Sequence, residues 1–223
     1  MAQHDLEQVF APGGLLQRAI EGYRHRPQQV EFAQAVRQAI ENKEGLIAEA
    51  GTGTGKTFAY LVPALLSGGR VIISTGTKTL QDQLFHRDLP QLRAALGVPV
   101  DTALLKGRAN YVCLHHLETA AGDNTTFSSR EEISHLQKIR SFAARTMSGD
   151  RGECTDVPET SPAWARATST RENCLGSACR HYKECFVMKA RSRATSAKNR
   201  WWFTTITSAS AARLRAFITK QSW

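Results

Sequence analysis

Residues 49–58 read "EAGTGTGKTF", and their reading decides the fold. Ala50 and the run Gly55-Lys56-Thr57 satisfy the pattern [A/G]-x-x-x-x-G-K-[ST], with Gly51, Thr52, Gly53 and Thr54 between them. Glycines at alternate positions let the backbone turn tightly and aim several N–H groups at one anion. Lys56 is spaced to reach the outer phosphates of a nucleotide, and the Thr57 hydroxyl to ligate Mg²⁺. The pattern carries weight only with a strand before it and a helix after it, whose N-terminus faces the same phosphates. Both are expected here, so ATP with Mg²⁺ is the expected ligand.

Outward from the loop, "LIAEA" (46–50) reads as a short apolar strand and "KTFAYLVPALL" (56–66) as a helix that Pro63 kinks or shortens. Upstream, residues 28–43 place Val30, Ala33, Val36, Ala39 and Ile40 at helical spacing, with Gly45 as the stop. Downstream, "RVIISTG" (70–76) is a second strand, "TLQDQLFHRDLPQLRAAL" (79–96) a helix and "VPVDTALL" (98–105) a third strand. This alternation predicts an α/β layer with a parallel sheet. Phosphate-loop hydrolases also need an acidic residue at the end of another strand to hold the metal. No apolar run ending in Asp-Glu follows the loop, so the chain is expected to bind nucleotide without turning it over.

Beyond residue 110 the character changes. Residues 121–170 are polar, and only "REEISHLQKIRSFAARTM" (130–147) is clearly helical. The chain opens without a signal-peptide pattern and has no apolar run near the ~18–20 residues of a membrane span. It therefore reads as a soluble cytoplasmic protein with no membrane partner. In a reducing compartment, clustered cysteines point to metal or redox chemistry rather than disulfides. Cys113 stands alone, and Cys174, Cys179 and Cys185 follow within twelve positions. Four thiolates close either a [4Fe–4S] cluster or a tetrahedral zinc site. Spacing favours iron–sulfur slightly, because structural zinc sites usually come as two short pairs. Cys154 competes with Cys113 for the fourth place, and His115, His116 and His181 lie near the thiols as alternative zinc ligands. The net charge is +9, but eight basic residues and no acidic one follow Phe186, leaving +1 for residues 1–185. Total charge is therefore weak evidence for a nucleic-acid partner.

"RPQQ" (26–29), "EAGTGTGKT" (49–57), "VIISTGTKTLQDQL" (71–84), "LLKGRANYVC" (104–113) and the later cysteine trio together resemble the DinG/XPD-type iron–sulfur DNA helicases. The resemblance covers roughly residues 10–198. It implies a superfamily 2 helicase with two RecA-like domains, moving 5′→3′ on single-stranded DNA, and an iron–sulfur domain inserted in the first. By the same resemblance, Gln29 would read adenine, Lys56 and Thr57 would hold phosphate and Mg²⁺, and Thr75, Thr77 and Lys78 would meet the DNA backbone. Cys113, Cys174, Cys179 and Cys185 would ligate the cluster. Apart from the resemblance, the segment reads as a rigid, cluster-stapled wedge beside the strand path, with Arg180, Lys183 and Lys189 offering phosphate contacts. On the residues alone, Gln29 also reads as an ordinary solvated helix start, and Thr75–Lys78 as a turn whose threonines cap the next helix. The fold expected is thus an incomplete RecA-like P-loop sheet with an inserted, mainly helical iron–sulfur domain. Its divisions are 1–110 for the first part of the ATP-binding domain, 111–188 for the iron–sulfur domain and 189–198 for the return.

Residues 199–223, "NRWWFTTITSASAARLRAFITKQSW", depart from that family. Shifted by one nucleotide, the codons of Trp-Trp-Phe-Thr-Thr-Ile-Thr-Ser can encode the Val-Val-x-Asn-His-His-Leu strand that a family member carries here. The expectation is an out-of-frame tail, and a sheet left with an exposed edge; the competing reading is an amphipathic tail for nucleic acid or membrane. Two functions of different class follow. One is the N-terminal part of an ATP-dependent DNA helicase, inactive alone. The other is a module that binds ATP and single-stranded DNA, or a zinc-binding P-loop NTPase outside the helicases.

Overall fold

The computed structural model describes residues 5–51, 53–69, 71–122, 129–195 and 200–205. The chain divides into two compact units, Met1–Leu105 with Ser196–Trp223, and Lys106–Thr195. The first opens with two short helices, α1 (Leu6–Phe10) and α2 (Leu15–Ala19), which bury Leu6, Val9, Phe10 and Leu16. α3 (Pro27–Asn42) begins with a proline, whose missing N–H costs nothing in a first turn. It ends where Lys43 turns left-handed at φ 58° and returns its N–H to Ala39 and Ile40. Gln29, Ala33 and Val36 recur on the buried side of α3, which packs on α4 (Lys56–Leu66). Pro63 does not stop α4, which continues to Leu66.

The helix expected over 79–96 is observed as three pieces. α5 (Lys78–Gln83) leads into a π-helical turn, Leu84–Asp88, and then α6 (Leu89–Leu96). In the wide turn the Leu89 N–H reaches back to the Leu84 carbonyl. An α-helical proline clashes with the carbonyl four residues earlier, and the extra residue in the turn before Pro90 takes up that misfit. Leu84, Leu89, Leu92 and Leu96 stay on one buried face and join the α1–α4 core.

β1 (Val71–Thr75), β2 (Asp101–Leu105) and β3 (Arg200–Thr205) form an all-parallel sheet in the order β1-β3-β2. Val71 pairs with Trp201 on one side of β3, and Thr102 pairs with Trp201 on the other. The departure from the family pattern at 199–223 therefore does not leave the sheet open at this point. A run of aromatic and Thr residues suits a strand, and residues 200–205 take the central place. The rest of that tail lies outside the described residues. The strand expected at 46–50 is not observed: this stretch is irregular, with Ile47 90% exposed. A strand needs a hydrogen-bonding neighbour, and no described strand lies beside it.

The second unit is spliced in sequence between β2 and β3 and is mainly helical. Its helices are α7 (Leu114–Gly122), α8 (Arg130–Arg145), α9 (Ala163–Ala167) and α10 (Phe186–Thr195). Ser129 caps α8 by accepting from the Glu132 N–H at 3.1 Å, and Leu136, Ile139 and Phe142 are buried along it. Glu132 is buried and paired with Arg166 on α9 at 2.9 Å. A buried ion pair also closes the base of the unit, Lys106 to Asp150 at 2.7 Å. No helix among the described residues is long and apolar enough to cross a membrane.

Candidate nucleotide and thiol sites

The glycine-rich loop is built from both of its flanks. Gly53 and Gly55 adopt φ 77° and 78°, the left-handed region that glycine occupies without strain. Gly55 is the residue from which α4 starts. Lys56 folds over the loop, its ammonium 2.5 Å from the carbonyls of both Ala50 and Gly51. The Thr54 hydroxyl donates to the Gly51 carbonyl at 2.9 Å. Thr57 hydrogen-bonds the phenol of Tyr60, whose titration burial pushes up, with the Asp88 carboxylate adding to the effect. Thr52 lies outside the described residues.

Gln29 is not a solvated helix start: it is 2% exposed and braces the loop. Its amide donates to the Gly55 carbonyl at 2.8 Å, and its oxygen is 3.0 Å from the Tyr23 hydroxyl. That hydroxyl is also 3.2 Å from the Phe10 carbonyl. A methyl group on Gly55 would stand 2.2 Å from the Gln29 amide nitrogen and 3.5 Å from Arg26 Nη1. Burial pushes the Tyr23 phenol up to about 12, against a smaller opposing effect of Arg26. Tyr23 was not among the candidate residues, because nothing in its spacing marks it. Its role comes from the turn that folds residues 23–29 against the loop.

At the end of β1, Thr75 is buried and donates to the Thr77 carbonyl at 3.0 Å. Thr77 caps α5, accepting from the Leu80 N–H at 3.2 Å. The capping alternative for this turn is therefore realised at Thr77, and Lys78 opens the helix.

Cys113, Cys174, Cys179 and Cys185 all lie in the second unit, half-buried and free of disulfides, whereas Cys154 is buried. Burial pushes the Cys113 thiol up, and the nearby Cys185 thiol adds a smaller push in the same direction. Arg108 donates to Cys174 Sγ at 3.0 Å. The neighbouring histidines have other partners. His181 lies 2.9 Å from Glu118, whose carboxyl its hydrogen bond and then that of Arg180 hold below the usual range. His116 faces the Asn173 carbonyl at 3.4 Å. Among the described residues, no three His, Cys, Asp or Glu side chains are gathered closely enough to hold one metal ion. The four thiols share one unit without being gathered into a metal site.

A phosphate loop opening a helix, beside a parallel sheet, is the arrangement of a P-loop nucleotide-binding domain, and the match to known families follows it. Residues 28–137 match the model of the DEAD/DEAH box helicase family and form a helicase domain of that kind. It is 47% identical over 195 residues to the ATP-dependent DNA helicase YoaA of Haemophilus influenzae, covering 87% of this chain and 30% of that protein. Against the Escherichia coli YoaA the identity is 51% over 191 residues, covering 84% and 29%. Against the ATP-dependent helicase DinG of Mycobacterium tuberculosis it is 39% over 198 residues, covering 79% and 29%. The motif resemblance is thereby borne out. The chain spans about three tenths of the length of these curated relatives.

Proposed function

We propose that this chain is the nucleotide-binding part of an ATP-dependent DNA helicase, which in its whole form moves 5′→3′ on single-stranded DNA. The observation that carries the reading is the Lys56–Gln29 arrangement: one cation laid over the loop carbonyls and one buried amide tied to Gly55. Phosphate oxygens offer Lys56 a charged acceptor in place of neutral carbonyls, and Gln29 stands at the loop edge to meet adenine. Thr75, Thr77 and Lys78 are the proposed strand contacts. These 223 residues bind nucleotide without turnover on this reading, since no apolar run after the loop ends in an acid for the metal.

We also propose that Cys113, Cys174, Cys179 and Cys185 hold a [4Fe–4S] cluster, with zinc as the competing occupant. When bound, the cluster supplies a covalent staple to a unit too polar to rely on its core alone.

The test is titration of a fluorescent ATP analogue with Mg²⁺ into the full 223-residue chain and into Lys56→Ala, with phosphate release followed with and without single-stranded DNA. Saturable binding lost in Lys56→Ala, and no release above background, is the expected result. DNA-stimulated release that Lys56→Ala abolishes would overturn the claim of no turnover. Equal binding by both proteins would overturn the site.

A further inference from the structure

The side chain of Gln29 is tied at both ends. Its Nε2 donates to the Gly55 carbonyl at 2.8 Å, and its Oε1 accepts from the Tyr23 hydroxyl at 3.0 Å. A primary amide has two N–H groups on one end and two lone pairs on the other. These contacts use one of each, so one N–H and one lone pair are left. Adenine presents the complement on its own edge, a donating 6-amino group beside the accepting N7, and a glutamine pairs with it through two bonds. Guanine presents two acceptors there, O6 and N7. An amide held in this orientation would set its oxygen against O6.

Discrimination therefore depends on which way round the amide is held. The Gly55 carbonyl only accepts, so it requires nitrogen on its side. At the other end the requirement comes from Tyr23. Its hydroxyl carries a single proton and has two acceptors in reach, Gln29 Oε1 at 3.0 Å and the Phe10 carbonyl at 3.2 Å. His25 decides between them, since its Nδ1 lies 2.9 Å from the same Phe10 carbonyl. A carbonyl cannot donate, so Nδ1 carries the proton of that bond, and Phe10 is served without the phenol. The phenol proton goes to Gln29, the nearer acceptor. Gln29 is buried, and the exposed Arg26 side chain reaches its corner, with Nη1 3.5 Å from where a Gly55 β-carbon would stand. A base arriving there has to move an exposed side chain rather than the buried amide.

We infer that Tyr23 is a positioning residue for base selection: by giving its proton to Gln29 it keeps the amide in the orientation that accepts from a 6-amino group and refuses O6. The inference rests on the reading of Gln29 as the adenine contact given above. Tyr23 acts through Gln29 alone.

The experiment measures ATP and GTP binding with Mg²⁺ to the full chain by competition against a fluorescent nucleotide, for wild type, Tyr23→Phe, His25→Ala and Gln29→Ala. Wild type is expected to favour ATP about fivefold or more, the scale of one two-bond base contact, and Gln29→Ala to lose that preference. Tyr23→Phe removes the proton and keeps the ring. It is expected to narrow the preference about twofold or more, the scale of one lost hydrogen bond, with helical circular dichroism unchanged. His25→Ala leaves the Phe10 carbonyl to compete for the phenol proton, and is expected to narrow the preference by a smaller factor. If Tyr23→Phe does not fold, His25→Ala alone decides. A merely structural role would lower both affinities and leave their ratio unmoved. An unchanged ratio in Tyr23→Phe, beside a preference lost in Gln29→Ala, overturns the inference and leaves the adenine reading intact. A wild-type chain that binds both nucleotides equally or neither, or a Gln29→Ala variant that keeps the preference, overturns the adenine reading, and the inference with it.

Discussion

The Gln29 amide donates to the Gly55 carbonyl at 2.8 Å, and so ties the start of α3 to the residue that opens α4. The amide that would read a base is thereby built into the loop that would hold its phosphates. On the proposed reading, adenine and phosphate recognition share this one buried side chain.

Gln29→Ala leaves the Gly55 carbonyl and the Tyr23 hydroxyl without this partner. A stability loss of about 1–3 kcal/mol is expected in urea unfolding. Nucleotide affinity falls with it, and the preference for ATP over GTP narrows. A preference for ATP that is unchanged would show that Gln29 supports the loop without reading the base.

Lys56→Ala removes a cation that donates to the Ala50 and Gly51 carbonyls of its own loop. Nucleotide affinity is expected to drop roughly ten- to hundredfold, the scale of a lost charged hydrogen bond. Thermal stability without nucleotide is expected to move little. A large shift in melting without ligand would mean that the lysine holds the loop together by itself.

Tyr23 gives a pH signature. Its folded value is raised from 10.0 to about 12, chiefly by burial. A raised acid favours the folded state while it keeps its proton. Its contribution is therefore full below pH 10 and is lost as pH rises toward 12. Tyr23→Phe should flatten the alkaline fall in stability across that window, measured by urea midpoints at a series of pH values. An identical fall in both proteins would assign it to other groups.

Lys106 and Asp150 form a buried ion pair at the base of the second unit. Asp150→Ala removes the carboxylate paired with a buried lysine and is expected to cost about 3–5 kcal/mol, whereas replacing both by apolar residues of similar volume recovers much of that loss. A double-mutant cycle in denaturant measures the difference. Single-variant losses that add up to the loss of the double variant would show that the pair is not coupled.

The elements that were legible in the sequence are those whose evidence is local. α3 and α8 carry their apolar residues at helical spacing, and the start of α4 is marked by Gly55 and its flanking motif. β1 and β2 are short apolar runs bounded by turns. What spacing does not carry is partnership. Residues 46–50 have the composition of a strand, but a strand exists only beside another, and Ile47 is left exposed. The π turn before Pro90 depends on how a misfit is relieved rather than on propensity. In the site, the loop residues were readable because phosphate chemistry demands glycine, lysine and threonine in fixed order. Tyr23 was not, since it gains its place from residues brought to it by folding.

The central place of β3 sets a timetable for making the protein. β1 and β2 leave the ribosome early, yet among the described strands each pairs only with β3. The whole of Lys106–Thr195 must be synthesised, and its loop closed, before either edge is covered. Until then a nascent chain exposes two waiting strand edges of the kind that recruit other chains, while its helices are free to form. Early folding of the intervening unit shortens that wait by drawing the ends of the loop together.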